Sequence, residues 1–197
     1  MATVYLRPSS DAINLNYGGC GTPRERMALI AQVVAQELQR HDVITYTGQW
    51  NIDTATAVAQ ANLLQPNAYV SIGLGRGGGN RKGGRVYYRI PSEPLAQDLS
   101  ESVDKITPTD LVQATEENYS RNRGAFYDLR NVTVPSAGVT VGFTDHKQDN
   151  SFVTQNSYEL GVSIAEGILN YLNIAYKKPT DEQAEQMRMK YNNRKFA

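Results

Sequence analysis

Two histidines, one cysteine and a basic, glycine-rich stretch are the residues of this chain with the most obvious capacity for chemistry. His41 closes an amphipathic stretch at residues 24–40, where an imidazolium would meet the negative end of a helix dipole, and that is its expected role. His146 follows Gly142-Phe143-Thr144-Asp145. With Asp145 and Cys20 it would make an improvised metal set, but no ligand spacing favours one. The single Cys20 excludes an internal disulfide and a thiolate-rich zinc site.

Gly73-Leu74-Gly75-Arg76-Gly77-Gly78 superficially fits the glycine pattern of a dinucleotide loop. Such a loop opens a helix and is followed by an acidic ribose partner, whereas here Asn80-Arg81-Lys82 leads into another strand, so nucleotide binding is not expected. The same stretch carries Arg76, Arg81, Lys82 and Arg85. Together with Arg24 and Arg123 these are candidates for gripping the carboxylates of a peptide or a protein partner, the alternative being a solvated basic loop.

These residues must be positioned by regular elements. Residues 2–6 (ATVYL), 43–46, 68–74 (AYVSIGL), 86–90 (VYYRI) and 137–143 (AGVTVGF) read as strands, and residues 126–129 as a short strand or turn. Thr22-Pro23-Arg24-Glu25 combines an N-cap hydroxyl, a proline at the first helical position and a glutamate three residues after the cap. Met27, Ile30, Ala31, Val34 and Leu38 then mark one helical face. Further helices are expected at 53–62, 92–105 and 154–172. Alternating strands and helices predict an α/β fold: an open, twisted, mostly parallel sheet with helices on both faces. Residues 1–176 form that domain. Residues 177–197 are a polar, helix-prone tail with a Thr180 N-cap, either solvated or an arm that docks on a neighbouring subunit.

Lys and Arg number 20, as do Asp and Glu, so charge points to neither nucleic acid nor an anionic membrane. The first residues have no basic and apolar leader and no stretch has the length of a membrane span, so synthesis in the cytoplasm without a signal peptide is expected.

Several strings, in order, resemble one enzyme family. Ala68-Tyr69-Val70-Ser71-Ile72 is similar to a strand that the family ends in Ser-Ile-His, and Gly83-Gly84-Arg85-Val86-Tyr87-Tyr88 to the Gly-x-x-Val-Tyr-Tyr string after it. Asn122-Arg123-Gly124 with Phe126-Tyr127-Asp128-Leu129-Arg130 resembles its Arg-Gly and Leu-x-x-Leu-Arg segment. Residues 132–143 (VTVPSAGVTVGF) resemble its proline-led strand ending in Glu-x-Gly-Phe, and residues 161–172 its closing helix. The family is that of the zinc-dependent N-acetylmuramoyl-L-alanine amidases (amidase type 3), which cut the lactyl-amide bond between N-acetylmuramic acid and L-alanine.

The resemblance implies a zinc held by two histidines and a glutamate, with a second glutamate as general base. In this chain those positions fall on Ile13 in a histidine-free loop, Pro23, Gly73 and Thr140. None can ligate zinc or deprotonate a bound water. Glu25 as a shifted ligand is set against its capping role, which explains it without a metal.

The expectation is therefore a degenerate amidase with no catalytic residues and no cofactor. Its expected role is structural or peptidoglycan-binding, with Arg24, Arg76, Arg81 and Arg123 as candidate binding residues. Amidase-like domains occur in phage and phage-tail-like particles, so the expected setting is a virion or secreted particle. Expected partners are other subunits or further copies of the chain, with peptidoglycan as the other candidate and no nucleic acid or membrane. The alternative is an active cell-wall amidase using displaced zinc ligands.

Overall fold

The computed structural model describes residues 1–11, 21–48, 52–108, 113–116 and 126–196. The strands are β1 (Thr3–Pro8), β2 (Ile44–Thr47), β3 (Ala68–Gly75), β4 (Arg85–Tyr88), β5 (Gln113–Glu116) and β6 (Ser136–Phe143). They form one sheet in the order β2-β1-β3-β6-β4-β5. β2, β1, β3 and β6 run parallel, β4 is antiparallel to β6, and β5 is parallel to β4. The helices are α1 (Pro23–Gln39), α2 (Thr54–Leu64), α3 (Glu93–Asp104), α4 (Tyr127–Asn131), α5 (Lys147–Gln155), α6 (Ser157–Tyr171) and α7 (Asp181–Tyr191). α1, α3 and α6 cover one face of the sheet, and α2 and α4 the other.

The central strands are apolar on both sides because both faces are covered. Val4, Leu6, Val70, Ile72 and Val139 enter the larger core under α1, α3 and α6. Tyr5 and Tyr69, out of phase with them, enter the smaller core with Ala57, Val58, Ala61 and Val132. α1 begins as its sequence predicts. The Glu25 N–H donates to Thr22 Oγ1 at 3.2 Å, and the Thr22 N–H donates to Glu25 Oε2 at 2.7 Å. Glu25 is thus occupied by the capping box.

Three elements differ from expectation. Residues 127–131 form a short helix, where a short strand or turn is expected: Phe126 adopts a left-handed conformation (φ 57°), and Asp128 and Arg130 suit the two ends of the short helix dipole. β5 has no apolar pattern to announce it, and its backbone pairs with β4. The long final helix is broken at Asn156, whose side-chain amide donates to the Phe152 carbonyl at 2.8 Å.

The tail folds back on its own chain along one side while most of its residues stay exposed. Thr180 and Gln183 form a second capping box, and α7 lies on its own chain against α1 and α6. Tyr191 is buried and its hydroxyl donates to Gln36 Oε1 at 3.0 Å. Asn192 Oδ1 accepts the Tyr158 N–H at 2.8 Å, and Arg188 pairs with Glu159 at 2.8 Å. Ala184 and Tyr191, two turns apart, are buried against that surface and Met187 packs beside them. No helix of the described residues is long and apolar enough to cross a membrane.

Candidate functional site

Strand register sorts the side chains on the α2/α4 face into three rows. Tyr5, Tyr69 and Ser136 share the first; Arg7, Ser71, Gly138 and Tyr87 the second; Gly73, Thr140 and Arg85 the third. The third row lies near the carboxyl ends of β3 and β6, the edge at which open α/β sheets take their ligands. Ser9 reaches it from β1, its N–H donating to the Ile72 carbonyl at 2.8 Å.

The first two rows are largely closed by internal bonds. Tyr5 and Tyr69 stack at 5.5 Å, and the Tyr5 hydroxyl donates to Gln60 Oε1 at 2.7 Å. The Tyr69 hydroxyl donates to Asp128 Oδ2 at 3.3 Å; burial first, and then the Asp128 charge, push its pKa far up, so it stays a donor. Arg7 donates to Thr54 Oγ1 at 2.6 Å and stands 3.8 Å from Asp128. Phe126 covers Tyr87 with ring centroids 4.5 Å apart.

The third row is different. Among the described residues, a side chain on Gly73 would meet only Ser9 Cβ, at 3.9 Å from an added Cβ. The Thr140 hydroxyl and the Arg85 guanidinium, together with the neighbouring Ser71 hydroxyl, have no hydrogen-bond or ion partner among the described residues.

The β3–β4 connection frames this row and explains its glycines. The Gly77 N–H donates to both oxygens of the Asp145 carboxylate at 3.1 and 3.0 Å, and the Gly79 N–H to one at 2.9 Å. Asp149, buried, accepts the N–H groups of Gly83 and Phe143, each at 2.9 Å, and pairs with His146 Nδ1 at 3.0 Å. The loop is thus a backbone nest already filled by the chain's own anion. Gly79, at φ +79°, supplies a turn that a side chain would strain.

Partial burial pushes the Asp145 carboxyl up, but the N–H groups of Gly79, Gly77 and Gly78 outweigh it and hold its pKa below the ordinary value. The folded value is depressed, so the contribution is complete above the unfolded value of about 4 and is lost as pH falls through the folded one. In a pH titration, the Gly77 and Gly79 amide resonances are expected to shift with a midpoint below about 4, and Asp145→Asn to abolish the transition. A midpoint at or above that value would contradict the nest.

Other candidates have definite places. Asp145 and His146 are engaged as above, Cys20 lies outside the described residues, and no three His, Cys, Asp or Glu among those described are placed to hold a metal ion. The expected imidazolium at His41 is corrected. Its Nδ1 donates to the Glu37 carbonyl at 2.7 Å, and its Nε2 faces the Lys177 N–H at 2.8 Å. A backbone N–H can only donate, so Nε2 is an acceptor and the ring is neutral, tying α1 to the segment before α7.

Arg24 braces the β1 loop through the Ser10 carbonyl at 3.1 and 3.2 Å, and Arg76 does so through Asp11 at 2.9 Å. Arg81 is exposed on the glycine loop, and Arg123 lies outside the described residues. The candidate arginines therefore do not form one described cluster. Arg85, one basic residue among several in the sequence, is the one in the third row. Its phase opposite to the buried Val86 is the signal that marks it.

The N-acetylmuramoyl-L-alanine amidase family matches residues 24–170. The chain belongs to this family. Solved structures of similar fold include the N-acetylmuramoyl-L-alanine amidase AmiC2 of Nostoc punctiforme, 24% identical with a TM-score of 0.74 over 87% of this chain and 97% of that one. The catalytic domain of CwlV from Bacillus (Paenibacillus) polymyxa is 17% identical with a TM-score of 0.72, covering 89% and 100%. An amidase from Clostridium difficile 630 is 18% identical with a TM-score of 0.71, covering 87% and 97%. No curated protein sequence matches the chain.

Within this family, Gly73 and Thr140 carry the most direct consequence. Gly73 and Thr140, which the sequence resemblance sets against a histidine ligand and the general base, are cross-strand partners, and neither bears an imidazole or a carboxylate. Pro23, which the resemblance sets against the glutamate ligand, is the buried first residue of α1, and Ile13 lies outside the described residues. The described donor set does not fit a zinc ion held by two histidines and a glutamate.

Proposed function

We propose that this amidase-family chain is catalytically inactive and is retained to bind peptidoglycan within a larger assembly, such as a phage or phage-tail-like particle put together from cytoplasmically made subunits. The observation that carries this reading is the state of the third row. Where the family needs a ligand and a base, Gly73 leaves open space and Thr140 supplies only a hydroxyl, while the surrounding fold is kept intact. A site abandoned by selection for binding would be free to fill with apolar side chains; among the described residues this one is lined by the polar side chains of Ser71, Thr140 and Arg85. A protein partner is compatible with the fold, since the CwlD amidase of Clostridioides difficile, with a TM-score of 0.65 to this chain, is solved in complex with the GerS lipoprotein.

The test is cosedimentation of the full chain with purified peptidoglycan sacculi. Binding is expected without any fall in turbidity, whether or not zinc is added. Clearing of the suspension that requires zinc would favour an active amidase with displaced ligands, and failure to sediment with sacculi would remove peptidoglycan as the ligand.

A further inference from the structure

Resting on the reading that the groove still takes peptidoglycan, we propose that the third row is a carboxylate site, in which Arg85 grips a free carboxyl group of the stem peptide at the place where the family puts its metal.

The donor set points to this chemistry. Arg85, Thr140 and Gly73 share one cross-strand row, and Ser71 precedes it on the same face. Arg85 offers up to five N–H donors, and the Ser71 and Thr140 hydroxyls can each donate one more. The described acidic groups of the surrounding elements are engaged elsewhere: Asp11 with Arg76, Asp128 with Arg7 and Tyr69, Asp145 with the glycine nest, and Asp149 with His146 and two backbone N–H groups. No described carboxylate neutralises Arg85.

Its Nε is moreover shut off from solvent with no acceptor, while the side chain as a whole is only partly buried. Packing around Nε fixes the guanidinium, and the Nη groups, which are not sealed, are the donors that an arriving ligand meets. A planar carboxylate is the natural complement, because it takes two parallel N–H bonds from one guanidinium.

Shape agrees with charge. Arg85 and Gly73 lie on either side of Thr140, in strands spaced about 4.8 Å apart. Among the described residues, the space over Gly73 is bounded only by Ser9 within 4 Å of an added Cβ. A histidine there would fill that space; glycine leaves room for a small ligand group. The metal site of a hydrolase polarises a neutral amide carbonyl, whereas a fixed guanidinium flanked by hydroxyls selects a full negative charge. The site should therefore distinguish stem peptides with free carboxyls from those whose carboxyls are amidated.

The experiment titrates the full chain with N-acetylmuramoyl-L-alanyl-D-glutamate and with the same compound carrying both carboxyls as amides, at low salt, by calorimetry. The native chain is expected to bind the free acid about tenfold or more tightly than the diamide, the scale of one charge-assisted pair. Arg85→Gln should bring the ratio near one without a change in circular dichroism or melting, and Arg85→Lys should restore part of it. Gly73→Leu, which fills the floor without touching Arg85, should remove binding of both compounds.

Equal affinity of the native chain for acid and diamide would overturn the proposal, a result that needs no variant to fold. So would an undiminished preference in Arg85→Gln. If the native chain sediments with sacculi but binds neither compound, the carboxylate site is wrong while the peptidoglycan reading stands. If it does not sediment with sacculi, that reading fails and this one with it.

Discussion

Arg26→Ala is expected to destabilise the fold by about 3 kcal/mol and to loosen the C-terminal segment. Arg26 is fully buried, a rare location for a guanidinium. It donates to Ser157 Oγ at 3.1 Å, where α6 begins, and to the Arg194 carbonyl at 2.9 Å beyond α7, and Phe196 lies over it at 5.1 Å. One side chain of α1 thus ties together the start of α6 and the end of the chain. Removing it leaves a long cavity and strips acceptors of their donors, and both effects act in the same direction. At a few degrees per kcal/mol for a chain of this size, the melting temperature should fall by roughly 10 °C. Limited proteolysis should then cut between α7 and the C-terminus. An unchanged melting temperature with an uncut tail would mean that α7 is held independently of Arg26.

Gly167→Ala is the second large effect, and here the sign is the test. At an open helical position the change would gain up to about 1 kcal/mol of helix propensity. Gly167, however, is where α6 crosses α3. A Cβ would stand 2.7 Å from Leu99 Cα and 2.9 Å from the Asp98 carbonyl oxygen, backbone atoms that can yield only if the helices separate. The overpacking cost of up to about 3 kcal/mol outweighs the propensity gain. A net loss of about 2 kcal/mol is expected, and Gly167→Val should cost more. Gly73→Ala provides the contrast: an added Cβ there has no neighbour closer than 3.9 Å among the described residues, and its stability change should be near zero. Equal effects at the two glycines in chemical denaturation would contradict the packing described.

The sequence was most legible where a local rule and the tertiary structure agree. The Thr22 capping box and the Thr180 N-cap depend on residues three apart; both appear, and Gln183 completes a capping box at Thr180. The alternation of Val4, Tyr5 and Leu6 announces a strand buried on two faces, and it is one. β5 was illegible because Gln113–Glu116 is held by pairing with β4 rather than by an apolar face. The docking of α7 was hidden because only Ala184 and Tyr191 of that helix are buried, too few to stand out among polar neighbours. His41 was placed correctly at the end of α1 but given the wrong charge, because its partner Lys177 lies far along the chain.

The same division holds for the site. Gly73 and Thr140 could be singled out as residues unable to serve zinc, and the register shows them opposite each other. What the sequence did not separate was the role of each arginine. Arg24 and Arg76 are spent on the β1 loop, a fact set by Ser10 and Asp11, whereas Arg85 is distinguished only by which face of β4 it occupies. Strand phase, rather than the density of basic residues, identifies the guanidinium available to a ligand.

The central claim is that this member of the amidase family binds without cutting. Its most direct test is the release of free stem peptides from purified peptidoglycan by the full chain supplied with one equivalent of zinc, read by mass spectrometry. Bound peptidoglycan with no peptides released above the zinc-only control is the predicted result. Peptides beginning at L-alanine, released in proportion to the amount of protein and lost on chelation, would contradict it.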